Sequence, residues 1–158
     1  MKTLIVYATR HGCTEKCAIK LQNSFAGETQ LLNLKKSAKI NLNDFETIII
    51  GGSIHAGQIQ KKVRNFCLKN SDLLKTKKIG LFICCMEDGE KAAKQLEEAF
   101  PAELLKHASA TGIFGGEFNF EKMNFIERAA IRKIAGVDRS ISKIKQEEID
   151  KFLALMAA

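Results

Sequence analysis

The stretch VYATRHGCTEKCA, Val6–Ala18, decides how this chain is read. It opens apolar and β-branched, tightens around one glycine between Thr9 and Thr14, and continues with helical spacing. A strand entering a helix through such a turn leaves the first N–H groups of the helix without carbonyl partners, all aimed at one point beyond the strand end. The helix dipole adds partial positive charge there, Gly12 permits close backbone approach or a positive φ, and Thr9 and Thr14 add hydroxyls. Arg10 supplies a charged donor at the rim. That inventory suits a phosphate monoester.

Working outward, apolar runs and helical periods alternate. Leu4–Ala8 reads as a buried strand, and Gly12–Phe25 as a helix with Cys13, Cys17, Leu21 and Phe25 on one stripe. Thr29–Leu34 is a second strand. Thr47–Ile50 is a third, ending at Gly51-Gly52, and Ile59–Leu68 has helical periodicity. Ile79–Cys85 is a fourth strand, apolar on consecutive positions as in a sheet covered on both faces. Glu90–Phe100 is a helix stopped by Pro101. A fifth strand follows at Thr111–Phe114, then a turn at Gly115-Gly116, a helical segment Glu121–Ala135 and a closing amphipathic helix Gln146–Leu155.

Parallel neighbours need crossovers, so this alternation predicts an α/β chain with a parallel sheet wrapped by helices on both faces. At 158 residues and 46% hydrophobic composition, one domain spanning 1–158 is expected. Ligands of such sheets sit beyond the carboxyl ends of the strands. Thr9–Thr14, Ser53–Gln58 and Met86–Gly89 are therefore the loops to watch.

The formal charge of +7 is spread along the chain without interleaved aromatics, which argues against nucleic acid and favours acidic protein partners, anionic cofactors or an anionic membrane face. No apolar run approaches the roughly 20 residues of a bilayer span, so no transmembrane segment is expected. The absence of a leader pattern after Met1 predicts a cytoplasmic location. Five cysteines, an odd number without paired CxxC or Cys/His spacing, read as reduced buried thiols, and no metal site is expected. Cys13, in the first turn of its helix, is open to a lowered pKa, but Cys13 and Cys17 read more simply as packing groups.

Several phosphate-binding designs are disfavoured. A dinucleotide turn wants three spaced glycines and an acid after the second strand, which here ends Asn33-Leu34-Lys35. A nucleotide-hydrolysing P-loop wants a lysine after its last glycine. A phosphatase cradle wants an arginine closing the loop behind Cys13, and a phospho-acceptor receiver wants an aspartate where TIIIGGS has none.

The residues then reach a resemblance. TRHGCT, Thr9–Thr14, resembles the flavodoxin phosphate loop, IIIGGSIHAG resembles that family's second flavin loop, and GIFGGEFNFEKMNFIERAAIRKIAG resembles the stretch after the fifth strand in one subgroup, the flavodoxin-domain proteins allied to menaquinone-dependent protoporphyrinogen IX oxidase. The resemblance covers nearly the whole chain. It implies a three-layer α/β/α flavodoxin-like fold with a five-stranded sheet in the order 2-1-3-4-5, and FMN as cofactor. It places the phosphate on Thr9, Arg10, His11, Gly12, Cys13 and Thr14. The flavin ring would lie between Ser53, Ile54, His55, Ala56 and Gly57 on one side and Cys85, Met86, Glu87 and Asp88 on the other.

The chain departs from many flavodoxins in having no tryptophan, and its one tyrosine, Tyr7, falls inside the first strand. His55 and Met86 are left to cover the ring, and Gly57 permits the backbone flip that hydrogen-bonds flavin N5. The resemblance implies an electron-transfer protein serving redox partner proteins. A first alternative is a quinone-linked protoporphyrinogen dehydrogenase working on porphyrinogen and quinone peripherally at a membrane; a long loop that such proteins carry near the fifth strand is expected to be absent here. A second is a non-redox interaction module on the same fold. His107 is expected on the surface without a catalytic role, Glu87 and Asp88 as helix caps, and the apolar residues of Phe118–Ile134 as a buried stripe.

Overall fold

A computed structural model describes all residues, 1–158. Strands β1 (Lys2–Tyr7), β2 (Glu28–Asn33), β3 (Thr47–His55), β5 (Lys78–Cys84) and β6 (Ala110–Ile113) form the parallel sheet, and β4 (Gln58–Ile59) folds back antiparallel on the end of β3. Around them run α1 (Cys13–Ser24), α2 (Lys61–Lys69), α3 (Ser71–Leu74), α4 (Gly89–Ala99), α5 (Ala102–His107) and α7 (Gln146–Ala157). Between β6 and α7 lies an excursion holding β7 (Glu117–Phe118), a 3-10 turn at Phe120–Lys122, α6 (Phe125–Ala135) and β8 (Ile141–Ser142).

The sheet runs β2-β1-β3-β5-β6, which is the expected order of five parallel strands. Alternation along the strands divides the core. Leu4, Val6, Ile48, Ile50, Ile79 and Leu81 face one side, against Val63, Cys67, Leu74 and Ala92 from the helices there. Ile5, Tyr7, Ile49, Phe82 and Cys84 face the other, against Cys17, Leu21, Phe152 and Met156 of α1 and α7. Phe82 stacks on Phe114 at 4.7 Å between centroids. Its ring occupies the space a side chain at Gly51 would need, since a Cβ there would fall 2.0 Å from the ring tip.

Three expectations are corrected. β3 does not stop at Gly51-Gly52 but continues to His55 and turns into β4 through Ala56 and Gly57, both at positive φ (49° and 77°) as a two-residue hairpin turn requires. The chain is not short after the fifth parallel strand: residues 114–145 make a long excursion before α7. Finally, the apolar residues of 118–134 are not one buried stripe. Phe120 and Met123 are buried, but α6 buries none of its residues, and Phe125, Ile126 and Ile134 are 82%, 77% and 84% exposed. Helical spacing identifies α6 correctly; which face meets protein depends on what the excursion leans against. His107, at the end of α5, bonds the Lys77 carbonyl at 2.8 Å, a structural tie into β5.

Candidate functional site

The carboxyl ends of β1, β3 and β5 converge on the turn between β1 and α1. Thr9 Oγ1 accepts from the Gly12 amide at 2.9 Å and shapes that turn, and Gly12 takes φ 98°, a conformation that strains any residue with a Cβ. The first amide of α1 to find a helical acceptor is that of Lys16, on the Gly12 carbonyl at 3.0 Å. Thr14 Oγ1 is fully buried and has no hydrogen-bond partner. A buried hydroxyl left unmatched is destabilising by about 1–3 kcal/mol, so this one, in the first turn of α1 among amides without helical acceptors, is free to meet a ligand oxygen. The Lys122 ammonium hangs over the same spot, 2.7 Å from where a Gly12 Cβ would stand. Sequence reasoning missed Lys122, because 110 residues of chain separate it from Gly12 and only the excursion brings it back.

Beside this turn opens a cavity of about 280 Å³. Ser53, Ile54, His55 and Ala56 line one wall, Cys85 and Met86 another, and Cys13 and Cys84 the floor, while Arg10 and His11 stand at the end nearest the β1–α1 turn. Its roof comes from the excursion, with Phe118, Met123, Glu127, Ala130 and Ile131. Nothing in the spacing of α6 says that it folds over the strand ends.

Two networks hold the walls. Gln60 donates to Ser53 Oγ at 2.6 Å and to the Ala8 carbonyl at 3.3 Å, and accepts from the Ser53 amide at 2.9 Å, so one side chain locks the end of β3 to the end of β1. Ser53 Oγ in turn lies 3.2 Å from His55 Nε2. On the roof side, Glu127 Oε2 lies 2.8 Å from His11 Nε2 and 3.1 Å from Arg10, and Lys16 pairs with Glu117 at 2.8 Å. The capping box of Asn124 and Glu127 starts α6 at this contact. Burial disfavours ionisation of Glu127, yet the Asn124 amide and the charges of His11 and Arg10 hold its carboxyl below the usual range.

Burial, followed by the charges of Arg10 and His11, pushes the His55 imidazole down to about 4, so it is neutral at neutral pH. The His11 and His55 rings meet edge to face at 5.9 Å. Tyr7 donates to Glu15 at 2.9 Å and does not line the cavity.

Of the expected residues, Thr9, Arg10, His11, Gly12, Cys13 and Thr14 form the turn, and Ser53, Ile54, His55, Ala56, Cys85 and Met86 line the cavity. Gly57, Glu87 and Asp88 lie outside it. Glu87 pairs with Lys91 one helical turn on, and Asp88 stands at the N-cap of α4 but gives its carboxylate to Lys145 instead of to the helix amides. A larger groove, about 490 Å³ between β2 and α2, is remote from the strand ends.

No curated protein matches the chain. The family model described as flavodoxin domain matches residues 4–143. Among solved structures, the flavodoxin, WrbA-like protein from Agrobacterium tumefaciens is 14% identical and superposes over 99% of this chain and 92% of its own, with a TM-score of 0.57. The two-electron reduced flavodoxin of Megasphaera elsdenii is 20% identical over 72% of this chain and 82% of its own, with a TM-score of 0.51. Rubredoxin oxygen:oxidoreductase from Desulfovibrio gigas is 18% identical over 99% of this chain, which spans only 37% of that enzyme, with a TM-score of 0.50. At these identities the likeness is one of fold. No helix is long and apolar enough to cross a membrane.

Proposed function

The chain belongs to the flavodoxin domain family, matched over residues 4–143, and on that premise we propose that it binds FMN and passes electrons between protein partners. The observation that carries this reading is the Thr14 hydroxyl, buried and unpartnered at the mouth of α1 with the Lys122 ammonium above the same turn. A phosphate monoester matches those donors: an oxygen on Thr14 Oγ1, others on the opening amides of α1, and charge balance from Lys122 and Arg10. The residues present therefore fit the group.

In this reading the proposed phosphate residues are Thr9, Arg10, His11, Gly12, Cys13 and Thr14, and the flavin ring lies in the adjoining cavity against Ser53–Ala56, Cys85 and Met86. FMN, when bound, supplies one- and two-electron transfer at its ring. The side chains orient it and exclude water. Met123 and Ile131 cover the cavity from the roof, and the neutral His55 offers an uncharged ring edge. Gln60 fastens the wall made by Ser53–Ala56 to the end of β1 through its bonds to Ser53 and the Ala8 carbonyl. Redox partner proteins with acidic surfaces suit the net charge of +7.

One observation favours a second reading, the quinone-linked protoporphyrinogen dehydrogenase of the flavodoxin-domain type. The excursion of residues 114–145 follows the fifth parallel strand, and its α6 leaves Phe125, Ile126 and Ile134 exposed on a helix that also carries Arg128, Arg132 and Lys133, a surface suited to an apolar, anionic substrate. One preparation tests both. FMN added to purified protein is expected to bind one to one with quenching of its fluorescence; protein that takes up no FMN refutes the proposal. The loaded protein, mixed without oxygen with protoporphyrinogen and a quinone, produces porphyrin only in the second reading.

A further inference from the structure

Three thiols meet beneath the floor of the cavity. Cys13 and Cys17 stand on consecutive turns of α1, and Cys84 closes β5. Their sulfurs all lie within 4.8 Å of one another, and those of Cys17 and Cys84 are 3.7 Å apart. All three are free, with exposures of 8%, 0% and 2% in chain order. Their surroundings are apolar, with Ile5, Phe82 and Phe114 in the same cluster. Cys13 and Cys84 nevertheless reach the cavity, so the cluster has an entrance.

Sulfurs so placed suit one thiophilic centre, because bonds of about 2.3 Å at near-tetrahedral angles span sulfurs about 3.8 Å apart. Charge decides which centre. Sulfur binds as thiolate, and three thiolates bring three negative charges into a site where uncompensated charge is strongly disfavoured. A monovalent soft ion leaves two of those charges, and a divalent ion leaves one and also seeks a fourth ligand that the cluster does not offer. A trivalent centre with three bonds leaves none.

We propose that Cys13, Cys17 and Cys84 form a binding site for a trivalent thiophilic metalloid of the arsenite class, entered through the cavity. Binding is ligand exchange. Three As–O bonds of As(OH)3 break, three As–S bonds form, and each thiol proton leaves with a hydroxide as water, giving a neutral tris-thiolate and three waters with no change of oxidation state. Cys13 is placed to attack first, being the most accessible of the three. The site stands independently of FMN.

The test uses the full chain, reduced with a phosphine so that no free thiol competes, and titrated with arsenite in the presence and absence of FMN. The expected product is a single adduct whose mass gain is one arsenic less three hydrogens, with three sulfur neighbours by X-ray absorption and slowed alkylation of three of the five thiols. Cys17→Ala and Cys84→Ala, checked for folding by circular dichroism, lose the three-sulfur adduct. Cys67→Ala, across the sheet on α2, keeps it. Folded wild-type protein that binds no arsenite, or binds it through fewer than three sulfurs, overturns the proposal even if every variant misfolds.

Discussion

His11 Nε2 lies 2.8 Å from Glu127 Oε2, and through that contact the first turn of α6 is fastened to the loop between β1 and α1. Arg10 adds a second hold on the same carboxylate at 3.1 Å. The hold of α6 on that loop therefore passes through one carboxylate. Glu127→Gln is expected to speed amide exchange throughout Phe125–Ala135 while leaving β1, β3 and β5 protected. Because the folded-state pKa lies below the unfolded value of about 4.3, the latch contributes fully above that value, and its contribution is lost as pH falls through the folded-state value. Exchange in α6 measured across that range checks it; equal protection in wild type and variant would falsify the latch.

Thr14→Val separates ligand binding from packing. The variant removes a buried hydroxyl that has no partner in the protein, so without ligand it is expected to melt at the same temperature or higher. FMN affinity is expected to fall roughly 10- to 100-fold, the equivalent of about 1.5–3 kcal/mol for a hydrogen bond to a charged group. Fluorescence titration and thermal melts of the same samples decide the matter.

Lys122→Met tests whether the group above Gly12 is a phosphate counter-charge. The expected loss is roughly 1 kcal/mol in FMN affinity, about fivefold, shrinking as salt is added. Riboflavin, which has no phosphate, is expected to bind wild type and variant alike. A loss of equal size for both ligands would assign Lys122 to the roof instead.

His55 sets a pH dependence of its own. Its folded-state pKa of about 4 lies below the ordinary value of 6.5, so between these values the unfolded chain binds the proton that the folded chain refuses. Stability is complete above about 6.5 and decays as pH falls toward 4, by on the order of 3 kcal/mol. Denaturant midpoints measured from about pH 7 to about pH 5 are expected to fall in wild type and to change much less in His55→Phe.

Gly57→Val places a β-branched residue at φ 77° in the turn between β3 and β4. Open space surrounds the site, so the cost is backbone strain alone, about 1–2 kcal/mol by chemical denaturation. With FMN bound, a redox titration is expected to show its two one-electron potentials drawn closer together, because the stiffened turn no longer adjusts to the flavin.

The turn at Thr9–Thr14 was legible because its chemistry is local. Unpaired amides, a glycine at positive φ and two hydroxyls within six residues follow from a strand entering a helix, whatever surrounds them. The five parallel strands were legible for a similar reason, since alternation of β1, β3 and β5 with helices admits few topologies. Glu87 and Asp88 pair with Lys91 and Lys145 and do not line the cavity, contacts that the spacing of the loop did not carry.

Local pattern by itself determined the glycine turn between β1 and α1 and the parallel sheet that carries it. Only tertiary structure decided the roof over the cavity, the approach of Lys122 to Gly12, the Glu127 latch and the meeting of Cys13, Cys17 and Cys84. The physical reason is range. Hydrogen bonding and side-chain periodicity act over a few residues and leave a mark in the sequence, whereas contacts between α6 and β1–α1, or between α1 and β5, are set by how whole elements pack.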